Sequence, residues 1–299
     1  MGHIITDLKE AFRRGNVYIQ LIFINVGVFV ITTLIGILLQ LFNRSAAGIF
    51  ELLALPASFT RFAWQPWSIF TYMFMHAGFL HILFNMLWLY WFGALFLYFF
   101  SGKHLRGLYI VGGICGGLLY MISYNVFPYF RPMTAYSTMV GASASVLAIV
   151  VATAYREPNY PVRLFFFGNV RLKYLALIVV LTDLLFITSS NAGGHIAHLG
   201  GALAGLWFAA SLNKGKDITS WVNKALDAIA ALFSAKTWKR KPKMKVHYGN
   251  NTRQNDYDYN ARKKAQSDEI DRILDKLKKS GYESLTTEEK KSLFDASKR

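Results

Sequence analysis

The sequence predicts an all-α membrane protein: six transmembrane helices packed as a bundle, followed by a cytoplasmic α-helical tail. Three observations carry that prediction. Hydrophobic residues make up 54% of the 299 and charged ones 17%, where a soluble domain averages about 25% charged. The charge is also unevenly spread, with no Asp or Glu between Glu51 and Glu157 and a last third dense in both signs. Finally, six apolar runs approach the ~20 residues that a helix needs to cross the hydrocarbon core.

The runs fall at about 18–42, 77–100, 107–127, 140–154, 172–188 and 194–212. The first is long enough to span, and no small-residue cleavage site follows a short apolar core, so it reads as an anchor rather than a signal peptide. Residues 43–69 are partly apolar and contain Trp64, Pro66 and Trp67, which suits an interfacial loop. The later runs carry glycines and polar residues, so they are expected to pack on other helices rather than face lipid all round. The fourth is short.

Orientation follows from the Lys/Arg bias. Lys9, Arg13 and Arg14 precede the first span, Lys103 and Arg106 join spans two and three, and Arg156, Arg163, Arg171 and Lys173 join spans four and five. The opposite side offers Arg44, Arg61 and Arg131. Both termini are therefore expected in the cytoplasm, with the chain multi-pass in the cell (inner) membrane. The net charge of +16 then reports cytoplasmic loops and anionic lipid headgroups rather than nucleic acid.

Four segments result: a cytoplasmic N-terminal stretch (1–16), the six-helix core (17–212), an interfacial basic segment (213–245) and a cytoplasmic linker with a helical hairpin (246–299). In the third, Ile218, Trp221, Val222, Ala225, Ile229, Leu232 and Phe233 recur at helical spacing and run into the basic stretch 236–245. That pattern predicts a helix lying on the anionic leaflet. A polar linker is expected over about 246–260. Ile270, Ile273, Leu274 and Leu277 then mark an amphipathic helix, Gly281 stops it, and Thr286 or Thr287 caps another.

Polar groups inside a span are costly and therefore draw attention. The second span opens with His76 and continues through His81 and Asn85; the fourth opens with Gly141-Ala142-Ser143-Ala144-Ser145; the sixth opens with His195 and His198, followed by Gly201 and Gly205. With the N-terminus inside, all three spans begin at the outer face, so His81, Asn85, Ser143 and His198 share one membrane depth.

These residue types fit one reaction. A serine hydroxyl is a weak nucleophile until a base takes its proton, and a neutral histidine does that near pH 7. An oxyanion needs donors aimed at it. His81 and Asn85 are four apart, hence on one helical face, and the Ser143 N–H is a further donor. Gly141 permits close backbone approach. Gly201 and Gly205 form a small-residue face, shared by His198, on which the start of span four can pack; tight contact there brings Ser143 and His198 within hydrogen-bond reach. His195 is the alternative base but lacks the matching glycine spacing. Ser145 and Cys115 read as packing residues, and His76 as a support of the loop end. Asp183, the one carboxylate in the spans, either completes a triad or hydrogen-bonds within the bundle, the second reading being favoured.

The combination of His76, His81 and Asn85, then Gly141-Ala142-Ser143-Ala144, then His198-x-x-Gly201-x-x-x-Gly205 resembles the rhomboid intramembrane serine proteases, over about residues 17–212. The resemblance implies a Ser143–His198 dyad without a third carboxylate and an oxyanion pocket made by His81, Asn85 and the Ser143 amide. It implies single-span transmembrane proteins as substrates, cut near the outer face, and neither cofactor nor metal. The chain departs from the family pattern at four places. Ser68 follows Trp67 where an Arg is frequent, removing an Arg-based loop contact. Ala144 follows the serine in place of Gly. Leu147 stands where an aromatic often supports the histidine. A glutamate common near the end of span two is absent, with Tyr98 close by.

Three other function classes compete. A metal or haem protein would use His76, His81, His195 and His198, but no His-Glu-x-x-His pattern occurs. An inactive relative that binds transmembrane clients has no need of both dyad residues. A transporter would show inverted repeats with broken helices, and no such symmetry is visible.

Overall fold

The computed structural model describes residues 10, 12, 15–164, 168–232 and 252–297. Most of the expected N-terminal stretch 1–16, Phe233 and the basic stretch 236–245 lie outside the described residues. The chain forms two compact units, Met1–Thr237 and Trp238–Arg299.

The first unit begins with α1 (Val17–Leu41), followed by α2 (Ala47–Leu53), strand β1 (Leu55–Pro56), α3 (Phe59–Trp64) and α4 (Ser68–Thr71). Then come α5 (Phe79–Phe99), α6 (Gly102–Val126), strand β2 (Thr138–Met139), α7 (Ser143–Arg156), strands β3 (Pro161–Leu164) and β4 (Gly168–Arg171), α8 (Leu172–Leu185), α9 (Ala192–Asn213) and α10 (Ser220–Leu232). Among the described residues, four helices are long and apolar enough to cross a membrane: α1, α5, α6 and α9, of 25, 21, 25 and 22 residues. On α1 the apolar side chains of Val30, Ile31, Leu34, Leu38 and Leu41 are exposed, which marks a lipid-facing belt in this multi-pass membrane protein. At 14 residues each, α7 and α8 reach about 21 Å, short of the ~30 Å core.

Segment 43–69 is not a span. It folds into short helices fixed to one another: Trp67 Nε1 donates to the Leu52 carbonyl at 2.9 Å, and Thr71 Oγ1 to that of Leu53 at 2.7 Å. Ser68 is buried, and the loop's arginine contact comes from another position, Arg61 to Glu51 at 3.3 Å. The β3–β4 hairpin was not expected from the sequence. It pairs Pro161 with Arg171 through Leu164 with Gly168, and Gly168, the first residue of β4, has a φ of 68° that glycine accommodates.

The core sits where α6, α7 and α9 meet, and small residues let them approach. A Cβ on Gly201 would strike the carbonyl of Ala144, and one on Gly205 that of Ala148. On Gly112 and Gly116 of α6 a Cβ would strike the methyl groups of Ala148 and Ala144, while Gly200 lies on the backbone of Cys115 and Gly116. In lipid no hydrophobic effect drives helices together, so this close van der Waals fit is the principal adhesive. A buried hydrogen-bond chain ties α1 to the rest: Asn25 Nδ2 donates to Tyr109 Oη at 3.0 Å, and Tyr109 Oη donates to the Met73 carbonyl at 2.9 Å. The helix α10 seats Val222 and Leu226 against Ile110, Val111 and Ala204, leaving Trp221 and Ile229 exposed. Arg106 clamps it, reaching Asn223 Oδ1 and Asp227 Oδ1, each at 3.0 Å.

The second unit contains α11 (Thr252–Ser280) and α12 (Thr287–Ser297). The expected linker over 246–260 is corrected here: helix begins at Thr252, because neither Gly nor Pro interrupts the chain until Gly281. There the φ of 74° ends the path. Ile273 and Leu285 are buried between the two helices. A reciprocal cap opens α12, in which Thr286 Oγ1 accepts from Glu289 N at 3.3 Å and Glu289 Oε2 accepts from Thr286 N at 2.9 Å.

Candidate active site

The nucleophile candidate is positioned from the backbone outward. Gly141 has φ +135°, a conformation that only glycine adopts readily, and its N–H donates to the Tyr72 carbonyl at 2.9 Å. Just before it, β2 pairs with β1, Met139 opposite Leu55 and Thr138 opposite Pro56. The chain is thus held on both sides as it turns into α7, and Ser143 is that helix's first residue. Its N–H has no acceptor within the helix and sits at the positive end of the helix dipole.

His81 approaches from α5. The point at which Gly141 would carry a Cβ lies 2.9 Å from His81 Nε2 and 3.6 Å from Ser143 Oγ. His81 Nδ1 accepts from the Ala77 N–H at 3.4 Å, so in the neutral ring the proton sits on Nε2, the nitrogen facing Gly141 and Ser143. Asn85 Nδ2 donates to the His81 carbonyl at 2.8 Å. That bond orients the amide and leaves a second N–H of the same nitrogen free to donate. His76 is buried and packs edge-on against His81, ring centroids 5.1 Å apart.

His198 comes from α9, held beside α7 by Gly201 and Gly205. Together with His81, Asn85 and Ser143 it lines a cavity of about 510 Å³ that also touches Tyr120, Tyr124 and Asn191. A second, apolar cavity of about 200 Å³ shares Asn85, Ser143 and His198 and runs between Phe84 and Trp88 of α5 and Val179 of α8. The sequence-predicted residues therefore converge on one end of the bundle. One expected contact is corrected: among the described residues no hydrogen bond joins Ser143 Oγ to His198. The hydroxyl lies on the Gly141 and His81 side instead. Such bonds are commonly long in unliganded sites, and rotation about one staggered side-chain bond redirects the hydroxyl.

The residue whose partners the sequence did not identify is Asp183. Buried on α8, it accepts through Oδ1 from His198 Nδ1 and from His195 Nδ1, each at 2.8 Å. A carboxylate therefore does touch His198, which the family resemblance did not imply. The signal was present, since a lone acidic residue within an apolar span demands a partner; what was missing was the approach of α8 to α9. Ser145 is buried against Gly113 of α6, away from both cavities.

Asp183, His195 and His198 have ligand atoms within 4.8 Å of one another, close enough to consider a metal. Their 2.8 Å separations are hydrogen-bond lengths, whereas ligand atoms at the corners of a tetrahedron around zinc stand about 3.3 Å apart. The geometry favours two hydrogen bonds to one carboxylate oxygen.

Residues 63–214 match the family model of the rhomboid domain, and residues 254–299 match a family of unknown function, DUF6576. The chain is similar to the RHOMBOID-like protein 12, mitochondrial, of Arabidopsis thaliana, at 29% identity over 158 residues. The match covers 50% of this chain and 47% of that protein, so the chain spans about half the length of the curated relative.

Proposed function

The chain belongs to the rhomboid family, and from that premise we propose that it is an intramembrane serine endopeptidase cleaving single-span transmembrane proteins. The observation that carries this reading is the shared cavity of Ser143, His198, His81 and Asn85. In the proposed arrangement α7 and α8 count as short fourth and fifth crossings between α6 and α9. Both termini face the cytoplasm, and α5, α7 and α9 begin at the outer leaflet.

A substrate helix enters through the apolar cavity between α5 and α8, unwinds, and presents one peptide carbonyl to Ser143. Oγ attacks the carbonyl carbon as His198 Nε2 takes its proton. The oxyanion receives hydrogen bonds from the Ser143 N–H, His81 Nε2–H and the free N–H of Asn85. His198 then gives its proton to the departing amine, leaving an acyl-enzyme on Ser143. Water, deprotonated by His198, releases the new carboxyl end. The basic segment past α10 engages anionic headgroups, and no step draws on a cofactor.

Cleavage of a model transmembrane substrate by purified protein in liposomes tests the reading. Ser143→Ala and His198→Ala are each expected to abolish cleavage while keeping the thermal transition of the parent. Full activity in either variant contradicts the assignment, as would an inert parent that merely binds the substrate.

A further inference from the structure

We propose that Asp183 is a positioning residue for His198, fixing its ring so that the Nε2 lone pair faces Ser143. The proposal rests on the reading of Ser143 and His198 above and adds a member that the resemblance to the family did not imply.

Asp183 is the one acidic residue between Glu157 and Asp217, and its side chain is 6% exposed. Burying a carboxylate is expensive unless donors surround it. The donors are the two imidazoles, both at 2.8 Å from Oδ1. An ionised carboxylate oxygen only accepts, so each Nδ1 carries a proton. A neutral imidazole holds one proton, hence Nε2 of His198 is left as an acceptor, the form a general base requires. His81 holds the opposite form, because its Nδ1 accepts from the Ala77 N–H, which leaves the proton of the neutral ring on Nε2. Two histidines on one cavity thus carry opposite tautomers, each fixed by a partner on its far side: one suits an oxyanion donor, the other a base.

Asp183 is the side chain that the structure places on His198 Nδ1. Leu147 lies buried in the cavity wall and offers no hydrogen bond to orient an imidazole. When His198 takes the serine proton, the new positive charge forms beside the buried Asp183 carboxylate, whose opposite charge stabilises it. His195 shares that oxygen, Oδ1, while Oδ2 is buried without a hydrogen-bond partner among the described residues, so the two imidazoles are the donors that hold the buried group.

Histidine-labelled protein, read by ¹⁵N NMR with the His198 signals identified by their loss in His198→Ala, is the first test. Wild-type His198 is expected in the Nδ1–H form; finding the Nε2–H form overturns the proposal without any change at Asp183. Asp183→Asn keeps the shape but no longer dictates the tautomer. Its kcat is expected to fall by about 10²- to 10⁴-fold, the range seen when such a carboxylate is lost, with KM changed less than about threefold and the tautomer signal altered. Wild-type kcat in a folded Asp183→Asn protein overturns the proposal. Should that variant fail to fold, the wild-type tautomer decides. Full cleavage by His198→Ala would defeat the base assignment itself, whereas an inactive His198→Ala beside a fully active Asp183→Asn defeats Asp183 alone.

Discussion

At the scale of single residues, the site depends on backbone as much as on side chains. Gly141 combines φ +135° with a Cβ position 2.9 Å from His81 Nε2. Gly141→Ala therefore forces a strained backbone, at about 1–3 kcal/mol, and displaces the oxyanion donor. The expected outcome is a modestly lowered melting temperature with cleavage reduced at least tenfold; unchanged cleavage would show that the glycine serves the turn only. Asn85 is bound on one side to the His81 carbonyl, so its role in catalysis falls to the remaining N–H. Asn85→Ala is expected to lower kcat by about 10²-fold with little change in KM, and a KM effect alone would assign it to substrate binding. Ser143, His81, Asn85 and His198 were legible because polar residues in apolar runs stand out. The direction of the Ser143 hydroxyl was not, since a rotamer leaves no trace in sequence spacing. Nor were the partners of Asp183, which depend on how two helices cross.

At the scale of elements, the spacing of Gly201 and Gly205 anticipated the helix pair that the structure contains, because a small-residue face has one efficient use in lipid. Gly201→Val places a branched side chain on the Ala144 carbonyl, one residue from the nucleophile. Loss of several kcal/mol of stability, the usual cost of overpacking, together with loss of cleavage is expected in a thermal scan and activity assay. A stable, active Gly201→Val would contradict the packing account. The two tail helices and the capping Thr286 are legible in the hydrophobic spacing and the Thr-x-x-Glu pattern, whereas the start of the first helix is not, because Asn, Asp and Tyr are middling helix formers. Within the hairpin, the Lys276 ammonium and the Thr286 N–H hold the Glu289 carboxyl below its ordinary value. A depressed carboxylate contributes stability above the unfolded pKa, near 4.3, and loses it as pH falls through the lower folded value. Hydrogen-exchange protection factors across 287–297 are therefore expected to drop below about pH 4 in the full-length protein. In Glu289→Gln they should already be low at pH 7; equal protection at both pH values would contradict the linkage.

At the scale of the whole molecule, the sequence conveyed the membrane class, the order of apolar segments and the shortness of α7, while the β3–β4 hairpin and the shortness of α8 escaped it. Hydropathy reports which residues avoid water, and a 14-residue helix flanked by apolar residues looks the same as a full crossing. The start of α7 makes chemical sense, because its first residue, Ser143, lines the same cavity as Ser137, Thr138 and Met139 of the segment before it. The central claim is that Ser143 is a nucleophile activated by His198. It is tested most directly by treating the membrane-reconstituted protein with a fluorophosphonate and mapping the adduct by mass spectrometry. The account predicts one adduct, on Ser143, lost in His198→Ala. A label on Ser145 or another serine, or labelling of Ser143 that persists undiminished without His198, would contradict it.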